Sequence, residues 1–138
     1  MKRLALLAAI AFSFSVHAAE VTLGQKFAAI ADGHFHAADS VESRDATELL
    51  NAAATKYRTS PETIANLVVV GYNESKKKNF QYSMYNVAEA LPVMDTRDKS
   101  TEDRAKRVMI MYITARASGQ NHSEALVGVR KLTELTNP

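Results

Sequence analysis

From Ser43 onward, apolar residues return every three or four positions with polar ones between them. Ala46, Leu49, Leu50, Ala53 and Tyr57 fall at i, i+3, i+4, i+7 and i+11, which is one stripe of a helix with 3.6 residues per turn. The stripe predicts a helix over 43–58. Ser60-Pro61-Glu62-Thr63 then opens another: a hydroxyl to accept from free first-turn amides, proline at the first helical position, and a carboxylate at the positive end of the dipole. That helix is expected over 61–76, with Ile64, Leu67, Val68, Gly71 and Tyr72 inward. Leu67-Val68-Val69-Val70 would also suit a buried strand, but the cap before it and the lack of partner strands favour helix.

Met84, Val87, Ala88 and Leu91 give the next face, on a helix expected over 80–91. Pro92 should stop it, because the residue before proline is pushed away from helical angles. After a polar connection, Ser100-Thr101-Glu102-Asp103 repeats the capping pattern and starts a helix over 101–118 that buries Ala105, Val108, Met109, Tyr112 and Ile113. Ile110 and Met111 make its middle apolar on nearly every side, as in a helix enclosed by others. Asn121 with Glu124 caps a last helix over 122–135, whose inner face reads Ala125, Leu126, Val129 and Leu132. Ahead of all these, 19–40 reads as a short helix carrying Leu23, Phe27, Ile30 and Phe35, broken near Gly33.

The class expected is therefore all-α, a small bundle of about five helices. A shift of 40 residues superposes Ser60 on Ser100, Ala65 on Ala105, Val68 on Val108, Tyr72 on Tyr112 and Val87 on Val127. That offset suggests two stacked helical hairpins of α-solenoid type, although any two amphipathic hairpins with similar caps match at this level.

Residues 1–18 stand apart from the helical pattern. A basic start, Met1-Lys2-Arg3, precedes the apolar run Leu4 to Phe14, which is too short to span a bilayer. Val16 and Ala18 then offer the small side chains that signal peptidase requires at −3 and −1. We expect a cleavable Sec signal peptide, cut after Ala18, and a single domain over 19–138 delivered to the periplasm or the medium with no stable membrane anchor.

Charge changes its meaning once the signal is set aside. The formal +2 of the chain comes from Lys2 and Arg3, so the 17 basic side chains fall to 15 and balance the 15 acidic ones. Phosphate backbones demand a surplus of lysine and arginine on one surface, and a nucleic-acid partner is not expected. With no cysteine, the core must hold by packing alone.

Chemistry concentrates in Asp32-Gly33-His34-Phe35-His36-Ala37-Ala38-Asp39. Asp32, His34, His36 and Asp39 are the donor types that zinc, copper or nickel take. On a helix, however, the two imidazoles would point about 200° apart, and only an extended backbone or a partner chain would bring both to one ion. A polar helix end with Phe35 buried is the plainer expectation, and no cofactor is assigned. No nucleophile elbow or glycine-rich phosphate loop is present. Carboxylate pairs such as Glu42 with Asp45 sit where the helix dipole alone accounts for them. An enzyme is not expected.

Aromatic residues supply the remaining lead: Phe80, Tyr82 and Tyr85 fall together at the start of one helix, with Tyr82 and Tyr85 on its flank, as partner-binding residues do. The function expected is a non-enzymatic exported protein that binds a protein partner in the periplasm or envelope, in the manner of accessory, immunity or inhibitor proteins. The alternatives are a small hydrolase or metal-binding protein using the cluster between His34 and Asp39, and a carrier of a small ligand between apolar helices.

Overall fold

The computed structural model describes residues 19–77, 83–93 and 102–135. The regular elements among them are six helices: α1 (Leu23–Asp32), α2 (Val41–Tyr57), α3 (Pro61–Lys77), α4 (Met84–Val93), α5 (Glu102–Ala117) and α6 (His122–Leu135). The expected all-α bundle is what the chain forms, and the β-branched run Leu67 to Val70 lies inside α3.

Side chains close most helix starts. Thr22 and Gln25 cap α1 reciprocally, with the Gln25 amide donating to Thr22 Oγ1 at 3.2 Å and the Thr22 amide donating to Gln25 Oε1 at 2.9 Å. Asn121 and Glu124 do the same for α6, at 3.0 and 2.8 Å. Ser40 accepts from the Ser43 amide to open α2, and Ser60 accepts from the Thr63 amide to open α3. Gly33 ends α1 in the left-handed region at φ 80, where a side chain would be strained.

α2 is the hub, packing against α1 on one side and against α3, α4 and α5 on the others. The core joins Phe27 of α1, Leu50 and Tyr57 of α2, Ile64 and Val68 of α3, Met84 and Leu91 of α4, Val108 and Tyr112 of α5, and Val129 of α6. α1 reaches its partner at Gly24, where a β-carbon would collide with Thr47 Oγ1 and the Ser43 carbonyl of α2.

Several expectations need correction. Pro92 does not end α4 at Leu91; the helix runs on to Val93 with proline inside its last turn. Free carbonyls at that end find donors on α2: the Tyr57 hydroxyl donates to Leu91 O and Lys56 Nζ to Pro92 O, each at 2.9 Å. Ser83 is not helical and caps α4 through its hydroxyl, so this helix does not run unbroken from 80, and residues 80–82 lie outside the described residues. Phe35 is 65% exposed rather than buried. α5 is not enclosed all round, since Ile110 is exposed.

The shift of 40 residues holds for the first helix of each hairpin and slips in the second. Ala65 and Ala105 are both buried, as are Val68 and Val108, whereas Val87 is buried and Val127 exposed. α6 turns Ala125, Val129 and Thr133 inward, leaving Leu132 on the outer side.

Candidate functional site

α2 carries a second stripe beside the one it buries. Glu42, Asp45, Leu49 and Ala52 recur at i, i+3, i+7 and i+10, with Glu48 beside them, and face α4 across a groove of about 660 Å³ that Tyr85 and Glu89 complete. Four of its lining residues are carboxylates, and among the described residues no lysine or arginine lines it. Tyr85 stands with its ring edge-to-face on Phe27, 5.7 Å between centroids. Its hydroxyl is buried without a hydrogen-bond partner among the described residues. Burial, then the negative charges of Asp32, Glu42 and Asp45, push this phenol up to about 12. Tyr85 thus both packs on the core and faces the groove, while Phe80 and Tyr82, expected beside it, lie outside the described residues.

Glu42 extends the groove to the end of α1. Past Gly33 the backbone leaves the helix, and this brings together two side chains that a helix would have separated. The rings of His34 and His36 lie 4.7 Å apart. Asp32, His34 and His36 each offer a donor atom, and these atoms lie within 4.8 Å of one another. His36 Nε2 is 2.6 Å from Asp32 Oδ2, and His36 Nδ1 is 3.6 Å from Glu42 Oε2. Asp39, expected as a fourth donor, is not in this group; the second carboxylate beside His36, after Asp32, is that of Glu42. Gln25 fixes the segment by donating from Nε2 to the His36 carbonyl at 3.0 Å.

At the other end of the groove, Glu89 faces His122 Nε2 at 3.6 Å, and His122 Nδ1 meets the Tyr112 hydroxyl at 2.7 Å. The three residues tie α4, α5 and α6 together. Tyr112 is fully buried and desolvation raises its pKa, the opposite of what activates a phenol as a nucleophile.

A further hollow of about 380 Å³ lies between α3 and α5, lined by Leu67, Val70, Met109, Ile110 and Ile113, of which Val70 and Ile110 are exposed. It exists because α5 is covered on fewer sides than its composition implied.

Sequence reasoning reached Tyr85 and three of the four cluster residues proposed as metal donors. It missed Glu48 and Glu89, and it attributed Glu42 and Asp45 to the helix dipole alone. The signal that would have found the groove is the spacing of Glu42 and Asp45 with Leu49 and Ala52, a face distinct from the core stripe.

No helix among the described residues is long and apolar enough to cross a membrane. No curated protein and no solved structure matches the chain. One protein-family model does, MoxZ, over residues 25–134, a span that takes in both the groove and the histidine cluster.

Proposed function

The chain belongs to the MoxZ family, and from that premise we propose that it is an exported, non-catalytic protein that binds a protein partner of the periplasm or envelope. The partner presents a basic segment to the groove between α2 and α4. The observation that carries this reading is the groove's charge: Glu42, Asp45, Glu48 and Glu89 face it, with no lysine or arginine lining it among the described residues. Carboxylates around a concave surface focus a negative potential, which draws in cationic groups and repels phosphate backbones. Leu49, Ala52 and Tyr85 supply apolar area against which the stem of an arginine or lysine packs.

Two further features support binding over catalysis. The buried, pKa-raised phenol of Tyr112 is unsuited to nucleophilic attack, and its histidine serves to join helices. Export rests on residues 1–18, whose basic start, apolar run and small residues at Val16 and Ala18 have the order a signal peptide requires.

The test uses immobilised protein and envelope extract, with capture followed as salt rises. The wild type should retain a partner that salt releases, because exposed charge pairs are screened. The double variant Asp45→Lys and Glu48→Lys should lose at least about tenfold in affinity with its helical circular dichroism unchanged. Equal capture by both proteins would refute the groove. The intact mass of the exported protein should also lack Met1 to Ala18, and a full-length mass would refute processing.

A further inference from the structure

We propose that Asp32, His34 and His36 form a binding site for one divalent transition-metal ion of the zinc, nickel or copper class, with Glu42 orienting His36. The donor set is imidazole and carboxylate without thiolate, which suits those borderline ions over calcium or magnesium.

The ring orientations suit it. His34 Nδ1 lies 3.2 Å from the Asp32 carbonyl, an acceptor, and His36 Nδ1 faces the Glu42 carboxylate at 3.6 Å. With Nδ1 turned toward an oxygen in each ring, Nε2 is the nitrogen left to face an ion. Ligating histidines commonly have this outer oxygen partner, which fixes the ring and raises its basicity.

The contact of His36 with Asp32 is the second sign. His36 has a side chain only 10% exposed, and its Nε2 sits 2.6 Å from a carboxylate oxygen, yet makes no hydrogen bond. So short a contact is favourable only with a positive charge shared by the two groups, a proton in the metal-free protein that a bound metal ion would displace. Tetrahedral ligands about 2.0–2.1 Å from zinc stand roughly 3.3 Å apart, so Asp32 must swing outward by less than an ångström and the donor atoms, which lie within 4.8 Å of one another, must close in around the ion. It lies on the solvent side at the end of α1, where that movement is open to it. Three protein donors leave a fourth position for water. The segment is otherwise preorganised: Gly33 turns the chain out of the helix, and Gln25, itself 6% exposed, holds the His36 carbonyl.

This inference stands apart from the groove, because its probe is the metal alone. Tag-free protein stripped with chelator is titrated with zinc chloride in a calorimeter, with nickel chloride as a second probe. One ion should bind per chain and raise the melting temperature. His34→Ala and His36→Ala should each weaken binding at least tenfold, and Glu42→Gln about 10- to 100-fold by releasing the His36 ring. Asp39→Asn should bind as the wild type does. Circular dichroism of each apo variant checks that the fold persists. Absence of saturable binding, or binding unchanged in both histidine variants, would overturn the site; a wild type that binds zinc but captures no partner would count against the groove alone.

Discussion

Tyr57→Ala should destabilise the protein by about 4 kcal/mol, as expected for removing a large buried aromatic side chain. Tyr57 is fully buried and is among the largest side chains in the core. Its hydroxyl also does what backbone hydrogen bonds cannot at the end of α4, donating to Leu91 O at 2.9 Å. Tyr57→Phe isolates that role: the ring stays, the buried carbonyl loses its donor, and the cost should be about 1 to 3 kcal/mol. Burial raises the pKa of this phenol well above its usual value, so the folded protein keeps it neutral. The unfolded chain ionises it near the ordinary tyrosine value of about 10. Its contribution is therefore fully present below about pH 10 and is lost as pH rises beyond it, and Tyr57→Phe should reduce this alkaline loss. Urea denaturation of the three proteins at pH 7 and above pH 10 measures both effects. A phenylalanine variant as stable as wild type would remove the hydroxyl from the account of how Pro92 is accommodated.

Gly24→Ala should be destabilising by about 2 to 3 kcal/mol, although alanine is the better helix former by about 1 kcal/mol. At this point α1 and α2 approach so closely that a β-carbon meets both Thr47 Oγ1 and the Ser43 carbonyl. The hydroxyl can rotate away, but the carbonyl is helix backbone and cannot. The added methyl must therefore push α1 outward, at the cost usual for overpacking. Because α1 carries Phe27, which packs on Tyr85, the shift should also reach the groove. Amide exchange in α1 would rise in the variant, and denaturation would give the free-energy loss. A stability gain would mean that propensity outweighs the close approach.

The core was legible in the sequence wherever a helix buries one regular stripe. Ala46, Leu50, Ala53 and Tyr57 are all buried, as are the five residues expected inward on α5. Legibility failed where position depended on a neighbour. Ile110 belongs to an apolar sequence but is exposed, and α6 turns Thr133 rather than Leu132 inward. Pro92 ends a helix by local sterics, yet donors from α2, 34 and 36 residues earlier in the chain than the carbonyls they reach, stabilise the longer one. The histidine cluster shows the same limit at the candidate site. Helical spacing separates His34 from His36, and only the left-handed turn at Gly33, legible as a break but not as a direction, brings their rings together. Glu89 faces the α2 carboxylates across a groove formed by tertiary contact, and local periodicity holds no trace of that pairing.

The central claim, that a protein partner occupies the groove between α2 and α4, is tested most directly by crosslinking in living cells. A photoreactive phenylalanine derivative is placed at Glu48 or Ala52, both lining the groove, and at the exposed Asn73 of α3 as control. On irradiation, the two groove positions should give the same discrete adduct with one other protein, found in the exported fraction, while Asn73 gives none. An adduct of equal strength at Asn73, or none at either groove position, would contradict the account.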